Sequence, residues 1–172
     1  MYQIGDMVLY GMEGVCKITG KEHRATAGVE GDYYVLKPIE NEQSTVWVPA
    51  GNPHLMHKMR KLLSLDEVYR LIHQMTFQPV MLWEDNDRVR RDQFQAVLRS
   101  GDRMSLISMI RTLYLHQQEL AAKGKKLHLV DEKQMKEAEK QLHEEFAHVL
   151  HIDRDQVVPF IVRELESQQQ QM

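Results

Sequence analysis

Nine histidines are the residues in this chain most able to do chemistry. The segment His143-Glu144-Glu145-Phe146-Ala147-His148 looks at first sight like a metalloprotease helix. That chemistry needs two histidines four residues apart on one helix face, with a glutamate between them as general base. Here the histidines are five apart, which on a straight helix separates them by roughly 140°. They cannot hold one ion together. His148 and His151, or His54 and His57, have spacings that could share a face. No cysteine cluster stands near either pair, so solvated surface histidines are the simpler reading. Cys16, the one cysteine, lies in an apolar segment without nucleophile partners and reads as a small core residue. There is no glycine-rich phosphate loop and no Gly-x-Ser-x-Gly motif. The residues give no catalytic constellation, so the expectation is a binding protein with no metal and no cofactor, not an enzyme.

Positive charge is the second chemical signal. The net charge is −3, but residues 88–126 carry nine basic and three acidic side chains, and the segments on either side are net acidic. A single basic block in an acidic protein directs anions to one face. Its leading edge is the stretch from Trp83 to Arg103, where Glu84, Asp85 and Asp87 give way to Arg88, Arg90 and Arg91. Guanidinium forks fit phosphate oxygens; the plainer alternative is a solvated helix surface. Trp83 has two readings, a linker tryptophan packed on the bundle or a wedge against a base step. Trp47 is likewise a half-buried strand residue or an interface anchor.

The elements that would position these residues fall into two halves. Met7–Tyr10, Val15–Thr19, Tyr33–Pro38 and Thr45–Pro49 read as short antiparallel strands, with a turn-rich connection over His23–Gly31 and a hairpin loop at 40–44. Four or five such strands in about fifty residues suggest a small barrel. Ser64-Leu65-Asp66-Glu67 fits a capping box, with Leu65, Val68, Tyr69 and Ile72 on one helix face. Thr76–Met81, with Pro79, reads as a linker. A helix from about Asn86 or Asp87 to Arg99 stops at Ser100-Gly101, and Asp102 caps the next, whose stripe runs from Leu106 to Tyr114. Asp131 and Asp153 are read as the starts of two more. The expected division is a β-barrel over 1–60, a helix and linker over 61–81, a helical domain over 82–167 and a frayed tail over 168–172. No apolar run reaches the roughly 20 residues of a membrane span, and the N-terminus lacks signal-peptide features. A cytoplasmic protein, monomeric or a weak dimer, is expected.

Taken together these residues resemble the CarD/CdnL family of bacterial transcription regulators. The resemblance rests on Ile4-Gly5-Asp6-x-Val8-x-Tyr10 with Gly14, Tyr33-Tyr34-Val35-Leu36-Lys37, Thr45-Val46-x-Val48-Pro49, Ser100-Gly101-Asp102 and Ile110-Arg111-x-Leu113-Tyr114. It implies an α+β protein: a small Tudor-like antiparallel β-barrel that docks on the RNA polymerase β subunit, then an all-α helical bundle that contacts promoter DNA. It also implies no enzymatic activity, but modulation of open-complex stability. On the polymerase side it implies Arg24 and position 47, here Trp47, with Val46 and Val48 beside it. On the DNA side it implies Lys133, which joins the basic run Arg88, Arg90 and Arg91 that the charge pattern marks. The family's wedge tryptophan falls on Asp87, so either Trp83, four residues earlier, takes that role or the wedge is absent. A protein-only adaptor, binding polymerase or another partner without DNA contact, is the alternative.

Overall fold

A computed structural model describes residues 1–171, as two compact units, Met1–Leu63 and Ser64–Met172. The first holds strands β1 (Met7–Tyr10), β2 (Val15–Thr26), β3 (Val29–Pro38), β4 (Val46–Pro49) and β5 (Met59–Lys61), with a short helix α1 (Pro53–His57) before the last. They form one antiparallel sheet in the order β4-β3-β2-β1-β5. The expected barrel is therefore an open sheet. Its edge strands, of four and three residues, pair only inward, and β4 and β5 are not hydrogen-bonded neighbours. The core is Val8, Cys16, Ile18, Tyr34, Leu36, Val48 and Met59 on one face, with Tyr2, Leu55 and Met56 packed over it. Cys16 is fully buried.

The turn-rich connection expected over His23–Gly31 is instead strand. β2 and β3 run on as a two-stranded arm, paired from Glu22 opposite Tyr33 to Thr26 opposite Val29. Every residue from Lys21 to Glu30 is exposed, so the arm lacks the apolar alternation that marks a half-buried strand. Its tip is Ala27-Gly28, both at positive φ, 52° and 79°, which are the conformations of a type I′ hairpin turn.

The second unit contains α2 (Leu65–Gln74), α3 (Asp87–Ser100), α4 (Arg103–Ala122), α5 (Leu129–Leu150) and α6 (Val157–Gln170). α2 opens with the capping box, Ser64 and Glu67 bonding reciprocally at 3.2 and 2.7 Å. It packs with α5 and α6, inside this unit. Gly101, at φ 62°, ends α3, and Asp102 accepts the N–H of Ser105 to start α4. α5 packs against all four other helices. The core joins Phe94 and Leu98 to Leu106, Met109 and Leu113, and to Met135 and Ala138. Leu65 and Tyr114, placed on inward stripes by periodicity, are half exposed. α5 begins two residues before Asp131, whose side chain is buried and not a cap. α6 continues through Gln170 where a frayed tail was expected; Met172, the end of that tail, lies outside the described residues. Among the described residues no helix is long and apolar enough to cross a membrane.

The Ala27 conformation disfavours a Cβ by about 1 kcal/mol, a cost that asparagine reduces through local hydrogen bonding. Ala27→Asn should therefore raise the denaturant midpoint of the first unit without changing the slope. A lowered midpoint would show that the arm turns by another geometry.

Candidate functional sites

On the first unit, a single extra residue sets the site. Ile18 stands opposite Leu36, but Gly20 stands opposite Val35, so Thr19 is a bulge. Side chains alternate faces along a strand, and one inserted residue reverses the alternation beyond it. Without the bulge, Gly20, Glu22 and Arg24, each an even number of residues beyond Ile18, would share its core face. With it they share the outer face with Val35 and with Trp47, which stands opposite Val35 on β4. The result is a built pair: the Arg24 guanidinium lies 4.6 Å from the Trp47 ring centroid, and Trp47 Nε1 donates to Glu22 Oε2 at 3.2 Å. Trp47 is 41% exposed, an aromatic surface with a cation over it. Lys21, turned to the other face, sits over Tyr34 at 5.2 Å.

β4 is also an open edge. Ala50 N–H donates to Asp32 C=O at 2.8 Å, which sets the phase of the β3–β4 ladder. By the antiparallel alternation, Val46 and Val48 then bond to β3, and Trp47 points its own N–H and C=O away from the sheet. Val46 is half buried and Val48 is fully buried in the core. The expectation that Val48 contacts a partner is corrected: its side chain has no exposed surface to offer.

On the second unit, α3 and α5 run parallel. Arg90 bonds to Asp131, the Arg91 carbonyl accepts from Gln134, and the Leu98 carbonyl accepts from Gln141. Both partners advance together, so the two N-termini coincide, and His128 Nδ1 lies 3.7 Å from Asp87 Oδ2. Two helix dipoles thus present their positive ends side by side. Around this end Arg88, Arg91 and Lys133 are exposed and form no ion pair among the described residues, and Lys125 and Lys126 are exposed in the preceding loop. The arrangement can attract a polyanion to one end of the helical unit. Leu129 and Val130, 65% and 45% exposed at the same helix start, are apolar residues within that basic surface. Sequence reading took neither as functional, since each looks like an ordinary core residue. Exposure alone reveals them.

Arg90 is not part of this surface, and its assignment to DNA is corrected. It is 4% exposed. Its Nε and Nη2 grip Asp131 in a fork, both at 2.9 Å, and Nη2 also donates to Asp87 at 2.8 Å. Nη1 donates to the carbonyls of Glu84 and Asp85 at 2.8 and 3.5 Å. All five N–H groups are engaged. The Asp131 hydrogen bonds and charge hold the guanidinium pKa above its ordinary value, and the bond from Arg90 lowers that of Asp87. The spacing 90, 94, 98 was the available signal, because it puts Arg90 on the same inward stripe as Phe94 and Leu98.

Trp83 is held by the same cluster. Its ring stacks on His116 at 3.6 Å, meets Phe94 edge-on at 6.4 Å and lies 4.6 Å from the Arg90 guanidinium. Of its two readings, the structure supplies the packed one. Of the histidine pairs and Glu144-Glu145, none builds a metal site: no group of three such side chains converges among the described residues. Glu145 is buried and takes a two-toothed contact from Arg103, both bonds 2.6 Å.

Removing one member of a buried ion pair leaves the other uncompensated, at a cost of about 3–5 kcal/mol. Arg90→Met should destabilise the helical unit by that order, read from urea unfolding, and Asp131→Leu added to it should recover part of the loss. A loss below about 1 kcal/mol would contradict the buried fork.

No curated protein matches the chain. Residues 2–63, which are all of the first unit but its first residue, match the CarD-like/TRCF RID domain, an RNA polymerase β-subunit-interacting domain, and that match supports polymerase binding by this chain.

Proposed function

We propose that the chain is a bacterial, non-enzymatic transcription regulator of the CarD/CdnL kind. Its first unit, in this reading a Tudor-like module, docks on the polymerase β subunit, and its second unit contacts promoter DNA and alters open-complex stability. The docking half is supported by the match over residues 2–63 together with the Arg24–Trp47 pair beside an open strand edge. A partner strand laid against β4 would bond to the outward N–H and C=O of Trp47, while the indole and guanidinium set which partner fits. Large aromatics and arginines dominate such interfaces. Trp47→Ala should weaken binding to an isolated β-subunit lobe at least tenfold, and Arg24→Glu should weaken it as well. Retained affinity in both variants would defeat the docking model.

The DNA half rests on the coincident starts of α3 and α5, with Arg88, Arg91 and Lys133 around them. Contacts of this kind are to phosphates, so they position the protein and carry no base sequence. Leu129 and Val130 supply the apolar contact that Trp83, packed on His116, does not. Replacing Arg88, Arg91 and Lys133 together by alanine should reduce the slope of log affinity against log salt by roughly 2 to 3. Arg90 must stay, since its loss would be read as unfolding. An unchanged slope would remove DNA from the reading.

The adaptor reading keeps one observation in its favour: Arg90 and Trp83, two of the DNA-side candidates, are both engaged inside the protein. Polymerase binding with no promoter footprint would decide for it.

A further inference from the structure

The second unit contains a cavity of about 450 Å³ that neither surface described above uses. It opens between α4 and α6, where α6 packs chiefly on α2 and α5. Ile107, Ile110, Leu142, Ile161 and Val162 make up much of its wall. Polar and aromatic contacts brace the surrounding helices. Arg111 Nη1 donates to the carbonyls of Thr76 and Gln78 at 2.8 and 2.6 Å, which ties the chain beyond α2 to α4. His73 lies 2.9 Å from Glu164, and Tyr69 meets Phe160 edge-on at 5.8 Å, which ties α2 to α6. Such bracing keeps a cavity formed in the absence of a ligand.

Two polar side chains interrupt the aliphatic wall. Glu139 and His143 are four residues apart on α5 and both line the cavity, as residues on one helix face do. Neither makes a hydrogen bond or an ion pair among the described residues. Burial, with a smaller contribution from Arg154, pushes the His143 pKa down to about 4 and keeps the imidazole neutral. Burial also raises Glu139. Both are half-buried, and a ligand in the cavity that bonds to them would take the place of water.

We propose that this cavity binds an uncharged amphiphile, an aliphatic chain between α4 and α6 with a hydroxyl or amide head between Glu139 and His143. The head donates to the Glu139 carboxylate and accepts from the imidazole N–H. The volume is about three times the ~150 Å³ of an apolar cavity that holds one benzene, which suits a chain of roughly ten to fifteen carbons. The wall's charges favour neither ionic head: a carboxylate near Arg111 would also face Glu139, an ammonium near Glu139 would also face Arg111, and Arg111 Nη1 is already held by two carbonyls.

The test is a titration of the full chain with 1-decanol, decanamide, decanoate, decylammonium and 1-chlorodecane, followed by thermal shift and by NMR. The alcohol and the amide should give saturable stabilisation, with shift changes confined to α4, α5, α6 and the lining residues Met75 and Thr76. 1-Decanol should bind at least tenfold tighter than 1-chlorodecane, which cannot donate a hydrogen bond. Val162→Trp, at a half-exposed position on the wall, should abolish binding while the circular dichroism stays native. Glu139→Leu combined with His143→Leu should keep the chain site and reduce the alcohol-to-chloride ratio to about one. Absent or non-saturable binding, or binding unaffected by Val162→Trp, would overturn the site. Preference for decanoate or decylammonium would overturn the head assignment. Dimerisation blocked by Val162→Trp would make the cavity a subunit interface and overturn the small-molecule reading.

Discussion

The Arg90–Asp131 fork is the constraint on which the helical unit turns. A buried guanidinium and a buried carboxylate are tolerable only when each satisfies the other, and here the satisfaction extends outward. Through Nη1 the same arginine holds the carbonyls of the segment entering α3, and through Nη2 it holds Asp87 in the first turn. One side chain therefore fixes the parallel register of α3 against α5 and the path of the chain carrying Trp83. The coincident helix starts follow from it. The exposed cations are placed by an arginine that never reaches solvent.

A different device does the corresponding work in the sheet. There the determinant is parity: a bulge at Thr19 decides which residues of β2 face the core and which face outward. Arg24 and Trp47 are separated by two strands' worth of sequence, yet they stack because the ladder skips Thr19, which leaves Glu22 and Arg24 on the tryptophan's side. Deleting Thr19 would leave Arg24 on that face, since Ile18 and Gly20 would then be consecutive; pairing Thr19 into the ladder is what would reverse it.

Much of the local structure was legible in the sequence because its causes are local. The capping box at Ser64 and Glu67, the stop at Gly101 and the cap at Asp102 each depend on residues within a turn of one another. The α+β order followed from periodicity. What escaped has non-local causes. Asp131 reads as a helix start, since acidic residues favour first turns, and only its partner 41 residues earlier explains its burial. The β2–β3 arm is polar on both faces and shows no period. Tyr114 keeps the helical spacing, but no neighbouring helix covers its position. Open and closed sheets of short strands have the same alternation, so barrel closure could not be read from it. Family resemblance put Arg24 and Trp47 on the polymerase side, but their stacking on each other and the bulge that builds it were not legible.

The open edge at β4 carries one further consequence. Its four residues end in Pro49, which has no N–H, and within the strand Trp47 alone turns both backbone groups outward. An added strand therefore has one strong point of attachment instead of a ladder along which it could slide. A shift by a single residue would lose the backbone bonds and misplace the indole together. Such an edge selects for register before it selects for sequence, and it is a poor template for a second copy of itself, because two strands of this kind would have too few bonds to share.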